Sequence, residues 1–314
     1  MESTQNLKKR IKSIANIKKI TKAMELVAAT KMRKSQEIAL ASRPYAFAAL
    51  DLLANLSLMN KKELPLLMEK RKVKKTLFVL VASDKGLAGA FNSSLFKKFE
   101  QFLIKNNQKY TEEKSFVAVG EKSFSYLTKK NLPVLKKFTN VGDYTTPQQI
   151  KPLTDFLLQG YLDKSWDKVI IFSTNFRSAL KQEALTRVVL PITFELLQET
   201  VKEIIPDKGK FAELIKGHNI SFVPDKNNSQ DYLIEPSAKE VLEDLAKHLF
   251  FMQVYHLILE ANASEHAARR MAMKTASDNA NDLGSALNLQ YNKSRQGAIT
   301  NQIIEIIAGS EALS

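Results

Sequence analysis

From Pro236 onward the chain contains almost nothing that can stop a helix. Pro236 is the last proline, and Gly284, Gly297 and Gly309 are the only glycines beyond it. The rest is mostly Ala, Leu, Met, Glu, Gln, Lys and Arg, all good helix formers. Ser237 stands at a cap position, with Glu240 three residues on as a capping-box partner. A helix running from there to about Ala308 holds roughly 70 residues and is about 105 Å long. A helix of that length needs a partner helix, a membrane or a repeat array. A break at Gly284 is the alternative, but one glycine costs only about 1 kcal/mol.

The apolar positions choose among these. Leu242, Leu245, Leu249 and Met252 step by threes and fours. Leu259 and Ala263 continue the stripe, Ala276, Ala280, Leu283 and Leu287 carry it on, and Ile299, Ile303 and Ile306 close it. Such a stripe reads as a seam against another helix. The Ala-rich middle, Ala261 to Ala280, lets a partner approach closely. Charged and amide residues interrupt every window, so no run reaches the roughly 18 apolar residues of a membrane span.

The partner is at the other end of the chain. Ser3 or Thr4 can cap a helix in which Leu7, Ile11, Ile14, Ile17, Ile20, Met24 and Val27 recur at helical spacing. Leu7 to Ser42 contains neither Gly nor Pro. The expected pairing is antiparallel, Ile14 to Met32 against roughly Ala261 to Leu283. Pro44 then opens a second helical segment to about Met59.

Charge narrows the partners. The chain has a net charge of +14 and a pI near 9.6. Met1 to Ser35 carries ten Lys/Arg against two acids, Glu2 and Glu25. An acidic partner is expected for this stripe. Nucleic acid fits poorly, since Tyr45 and Phe47 are the only aromatics nearby and form no stacking platform. There is no cysteine, which excludes disulfides and Cys-ligated metals. Met1 to Lys12 has no apolar core of signal-peptide length.

Between the two ends the period changes. Lys61 to Lys75 reads as a basic connector. Thr76–Ala82 reads as a strand buried on both faces, Ser83–Ala90 as a turn and Phe91–Ile104 as a helix. Strands follow at Ser115–Val119, Val134–Phe138, Lys168–Thr174 and Ala184–Ile192, with helices at Glu121–Lys130 and Pro147–Tyr161. The alternation implies an α/β layer with mostly parallel pairing. Phe194–Ile205 is ambiguous, and Pro206–Gln230 is a polar, charged loop region. The expected organisation is therefore a shaft of residues 1–60 and 236–314, an α/β domain at 74–200 and a polar connector at 201–235.

Little here resembles catalytic machinery. The turn Asp84–Gly89 follows a strand and precedes a helix, where a phosphate can rest on backbone N–H groups. It matches neither dinucleotide nor P-loop spacing, and a tight β–α turn explains both glycines. His248, His256 and His266 lie eight and ten apart on the long helix, not at the i,i+4 spacing of a metal pair. They are expected at its surface or seam, and Asp278 and Asp282 as solvated or inter-subunit contacts. The sequence points to a mechanical or interaction protein without cofactor or metal. The rival readings are an α/β nucleotide-binding enzyme with helical appendages and a basic coiled-coil scaffold for nucleic acid.

Both ends together resemble the gamma subunit family of F-type ATP synthase, bacterial type. At the N-terminus the resemblance is carried by Ile20 to Lys34 (ITKAMELVAATKMRK) and the Ser42-Arg43-Pro44-Tyr45 turn. At the C-terminus it is carried by Glu265–Met273 (EHAARRMAM), Tyr291-Asn292-Lys293, Arg295-Gln296, Ile299-Thr300 and Glu305-Ile306. Asp84-Lys85-Gly86-Leu87 with Asn92 resembles the family's central turn. Ala88 stands where the family often has Cys, and Gln302 where an acid is common. Val201 to Gln230 aligns with nothing in it.

The resemblance implies a Rossmann-like, mostly parallel sheet domain inserted between two helices that form an antiparallel coiled coil. It implies a non-catalytic rotor shaft coupling ion flow to ATP synthesis or hydrolysis, present in one copy. The implied partners are a ring of alpha and beta subunits, the epsilon subunit and the membrane rotor ring of c subunits. Acidic loops of beta would meet Met24, supported by Lys22, Arg33 and Lys34. Arg269, Gln296 and Thr300 match positions that contact beta. The expected place is the cytoplasmic face of a bacterial plasma membrane, peripherally attached.

Overall fold

The computed structural model describes residues 3–41, 65–69, 71–106, 113–143, 145–193, 235 and 237–311. The helical segment expected from Pro44 to Met59, the ambiguous Phe194–Ile205 and the polar region Pro206–Gln230 lie outside the described residues. The chain divides into two compact units, one of Met1–Ala29 with Arg269–Ser314 and one of Thr30–Ala268.

Two long helices supply the first unit and continue into the second. Helix α1 covers Thr4–Ala41. Ser3 caps it, its Oγ accepting the Asn6 N–H at 3.3 Å. The C-terminal helix, α5, covers Ala238–Glu311, 74 residues without a break at Gly284. Ser237 caps it in the same way, accepting from Glu240 N at 3.3 Å.

The second unit is built on five strands: β1 Lys75–Val81, β2 Glu113–Val119, β3 Val134–Phe138, β4 Lys168–Phe176 and β5 Gln182–Leu190. Between them stand α2 Phe91–Lys105, α3 Glu121–Lys129 and α4 Pro147–Leu162. The strand order is β3-β2-β1-β4-β5. All pairs are parallel except β4 with β5. The sequence-based bounds of each strand agree with these to within about two residues. The antiparallel β5 was not distinguished, because a short hairpin at Arg177–Lys181 reverses the chain.

Chain direction sorts the helices. From β1 to β3 the chain advances toward one edge, and right-handed crossovers put α2 and α3 on one face. From β3 it jumps back to β4, so α4 falls on the other. The alternation within β1 follows: Leu77, Val79 and Val81 join a core with α4, whereas Phe78 and Leu80 join one with α2 and α3. The second of these is aromatic, with Phe78, Phe99, Phe102, Phe116 and Phe172 in edge and stacked contact.

The first core is completed by α5. Leu242, Ala246, Leu249, Phe250, Val254, Leu257 and Ile258 pack there beside Leu153, Leu157 and Val189. This corrects the expectation that Leu242, Leu249 and Leu259 belong to a helix–helix seam. Their spacing was helical, but a sheet face covers them. Gly160 in α4 is required by the same core. A Cβ there would lie 2.1 Å from the Trp166 ring.

Candidate functional site

In the first unit α1 and α5 run antiparallel. Lys18 Nζ donates to Asn281 Oδ1 at 2.6 Å, and a Cβ built on Gly284 would lie 3.7 Å from Ile14 Cγ2. Advancing along α1 therefore means retreating along α5. The covered positions step by threes and fours: Leu7, Ile11 and Ile14 and then Thr21, Glu25 and Ala28 on α1, Met273, Ser277, Ala280, Gly284 and Leu287 on α5. That is the alternation of a two-stranded coiled coil. Small residues at the centre allow close approach.

The stripe expected on α1 is only partly the seam. Leu7, Ile11 and Ile14 belong to it, but Ile17, Ile20 and Val27 are exposed. On α5, Leu283, Ile299, Ile303 and Ile306 are exposed as well. The reason is the identity of the true seam residues. Thr21, Glu25 and Ala28 are weakly apolar or charged, so the hydrophobic pattern pointed to the neighbouring face. Glu25 is nearly buried and accepts from Lys22 Nζ at 2.9 Å.

The expected partner residues are spread along this unit and into the next. Lys22 is exposed and Met24 half-buried on α1. Arg269 is half-buried, and Gln296 and Thr300 are exposed on α5. Thr300 Oγ1 donates to Gln296 O at 3.0 Å. Lys18 pairs at the level of Asn281, so Met24 comes level with about residue 275, and Gln296 lies about 30 Å farther along the axis. Arg33 and Lys34 fall in the second unit, both exposed, with Lys34 3.4 Å from Glu37. In the first unit the described ones are spaced along the helical pair and not gathered at one point.

The second unit has a different candidate. In an open parallel sheet, ligands enter at the carboxyl ends of the strands where the order reverses. Here that place is between β1 and β4. The helix α5 crosses it. Glu260 Oε2 accepts from Phe176 N at 3.2 Å, and Ser264 Oγ donates to Thr174 O at 3.4 Å. Beside it, Asp84 accepts from Glu121 N at 3.1 Å and from Asn140 N at 2.9 Å. Ser83 and Asn92 bond one another across the turn. The turn's polar groups are thus committed within the protein, and Leu87 and Gly89 take left-handed φ of 62° and 55°. The turn Asp84–Gly89 is, as its spacing suggests, a β–α turn tied to its neighbours.

Two histidines depart from expectation. His248 is exposed, but His256 and His266 are buried in the second unit, not at a surface or seam. His256 lies 3.2 Å from Glu260, and His266 Nε2 donates to Gly142 O at 3.0 Å. Asp278 and Asp282 are exposed, as expected. Among the described residues no group of His, Asp and Glu has the arrangement of a metal site. None of the described helices is long and apolar enough to cross a membrane. Sequence reasoning missed Asn262 and Asp143, which join α5 and α1 to the loop after β3. No motif marks them, because their partners lie more than 100 residues away.

Known proteins match this chain over all or most of its length. The family described as ATP synthase matches residues 3–313. The ATP synthase gamma chain of Geotalea daltonii is 36% identical over 313 residues, covering 100% of this chain and 99% of its own. That of Methylobacillus flagellatus is 36% identical over 318 residues, covering 100% of both. A chain of the Euglena gracilis mitochondrial ATP synthase (OSCP/F1/c-ring, rotational state 3) superposes with a TM-score of 0.64 at 18% identity, over 99% of this chain and 94% of that one. A chain of the Tetrahymena thermophila mitochondrial ATP synthase central stalk and c-ring gives 0.57 at 21%, over 82% and 99%. These two likenesses concern the fold. The fold class is a mixed one, with a two-stranded antiparallel helical pair in one unit and a mostly parallel five-stranded α/β sheet in the other. By its full-length sequence match, the chain belongs to the family of ATP synthase gamma chains, the gamma subunits of F-type ATP synthase.

Proposed function

We propose that this chain is the rotating central shaft of a proton-translocating ATP synthase, and that it carries torque without taking part in ATP chemistry. Its partners are a catalytic ring of alpha and beta subunits, the epsilon subunit and the c-subunit rotor ring. It is held, one copy per complex, at the cytoplasmic face of a bacterial plasma membrane through those partners. Residues 1–60 and 236–314 act as the shaft, 74–200 as the domain that meets epsilon and the c ring, and 201–235 as a connector.

The observation that carries this reading is the outer surface of the helical pair. Lys8, Lys9, Lys12 and Lys19 are exposed beside exposed Ile17, Ile20, Leu26 and Val27. On α5, Ile299, Ile303, Ile304, Ile306 and Ile307 are exposed. Apolar patches of this extent call for a surrounding protein, and the charge calls for acidic groups on it. The beta subunits' acidic loops meet Lys22, Met24, Arg33 and Lys34, and further beta contacts fall on Arg269, Gln296 and Thr300. Because the shaft presents different residues in each direction, the three catalytic sites around it become unequal. Rotation then changes which site is favoured, by differential contact with each state.

Co-purification tests the assembly. The tagged chain is expected to bring down a hexameric ATPase with epsilon, and recovery of the chain alone would overturn the reading. Met24→Lys tests the site. A new charge about 4 Å from a carboxylate is worth roughly 1 kcal/mol in water and about 4 kcal/mol at an effective dielectric of 20. That deepens one rotary position and raises the barrier to leaving it. The variant is expected to assemble and hydrolyse ATP while pumping few ions per ATP, and neutralising the facing acid should restore coupling. An unchanged pumping ratio would remove Met24 from the contact.

A further inference from the structure

The loop between β3 and α4 is bonded from three directions, all within the unit Thr30–Ala268. From α5, Tyr255 OH donates to Thr145 O at 3.0 Å, Asn262 Nδ2 donates to Val141 O and Thr145 Oγ1 at 2.7 Å each, and His266 Nε2 donates to Gly142 O at 3.0 Å. These three residues share one face of α5 and are nearly fully buried. From α1, Lys31 Nζ donates to Asp143 Oδ1 at 2.7 Å. From the turn after β1, Asp84 accepts the Asn140 N–H at 2.9 Å. Elsewhere α5 meets the sheet largely through Leu, Phe, Val and Ile side chains. Apolar contacts are non-directional and let a helix shift or turn against its support. Hydrogen bonds have preferred directions and do not.

We infer that this loop is a clasp that makes α1, α5 and the sheet turn as one body, and that Asp143 is the positioning residue through which it holds α1. The existence of the clasp stands on the bonds above, while its mechanical consequence rests on the rotor reading. Torque applied to the sheet reaches α5 through Asn262 and His266 and reaches α1 through Lys31. Without the Lys31–Asp143 link, α1 yields under load while α5 stays in place.

The test uses four variants of the full chain: Asp143→Lys, Lys31→Asp, their combination and Asp143→Asn. Asp143→Lys sets a cation against Lys31, Lys85 and His266, the positive or titratable groups acting on that carboxylate. Amide hydrogen exchange along α1 around Lys31 is expected to speed up about fivefold in each reversal, less in Asp143→Asn, and to return to within about twofold of wild type in the combination. In the assembled enzyme, each reversal should pump about half or fewer ions per ATP against an imposed gradient, with ATP hydrolysis in its absence within about twofold. The combined variant should regain the ratio. Unchanged exchange in the reversals, or no recovery in the combination, overturns the clasp. Altered exchange with an unmoved pumping ratio overturns its mechanical role. If the wild-type chain does not assemble with the ATPase ring, the rotor reading and the mechanical role fall together, and the exchange result still decides the clasp.

Discussion

Two stretches of α5 make opposite use of their residues. Between Gln253 and Ala267 every residue but Glu260 is buried, although the stretch includes Gln253, His256, Asn262, Ser264, Glu265 and His266. Between Asn288 and Ala308 every residue but Tyr291 and Ser294 is exposed, although the stretch includes five isoleucines. Hydrophobicity alone would have assigned them the other way round. In the first stretch several polar side chains answer a particular atom: Asn262 the Val141 carbonyl, His266 that of Gly142, Ser264 that of Thr174. In the second, the isoleucines are left uncovered among the described residues. One stretch is covered within its own unit, and the other stands exposed among the described residues.

The largest test of the contrast removes one large side chain from each stretch or its neighbourhood. Phe250→Ala, at a residue 1% exposed, should cost about 3–5 kcal/mol in urea unfolding of the chain. Ile303→Ala, at a residue 51% exposed, should stay within about 0.5 kcal/mol. Equal losses would erase the distinction. Next comes Asn262→Leu, which leaves Val141 O without its amide donor. It should cost about 1–3 kcal/mol, and a neutral result would show that the buried polar residues of α5 are incidental.

A smaller effect of opposite sign is expected in the helical pair. Gly284→Ala would place its Cβ 3.7 Å from Ile14 Cγ2, an ordinary contact, at a helical position where glycine is unfavourable. Thermal unfolding should show a gain of about 0.5–1 kcal/mol. A loss would mean that the pair is closer than the seam residues imply.

The smallest effect concerns pH. Burial pushes the Asp143 carboxyl up, but the Lys31 hydrogen bond and the charges of Lys31, Lys85 and His266 outweigh it, and the net shift is down. A lowered folded value contributes stability that is present above the unfolded value, about 3.9, and is lost as pH falls through the folded one. Asp143 is half-exposed, so the contribution should be under about 1 kcal/mol. Asp143→Asn should therefore unfold more easily than wild type near neutral pH, and the two should converge in strong acid. A constant difference across that range would rule out the ionised carboxylate as the source.

Local chemistry made much of this fold legible. Thr76–Ala82 reads as a strand buried on both faces and Lys168–Thr174 as a strong strand, and the absence of Pro and near-absence of Gly at both ends favour long helices over a break at Gly284. The cap at Ser237 is read directly, and that of α1 is narrowed to Ser3 or Thr4, of which the structure uses Ser3. The seam cannot be read this way. Periodicity tells which residues share a face, not what covers it, so Leu242 and Leu249 looked like coiled coil although a sheet covers them. On α1 the covered Thr21, Glu25 and Ala28 were hidden behind the louder Ile17, Ile20 and Val27. Met24, Arg269, Gln296 and Thr300 are expected as partner contacts from resemblance alone, since nothing in their local pattern marks them.

By itself, then, the sequence determined the elements: two unbroken terminal helices, alternating strands and helices between them, and a basic N-terminal stripe. These follow from short-range effects, namely backbone propensity, capping and the difference between periods of 2 and 3.6. Tertiary structure alone decided that α5 closes the carboxyl edge of the sheet, that His256 and His266 are buried, and that Lys31 meets Asp143 across 112 positions of chain. Such contacts depend on the order in which β3, β2, β1 and β4 lie side by side. No local pattern encodes that order, because it is the packing of two helical layers on a twisted sheet that selects it.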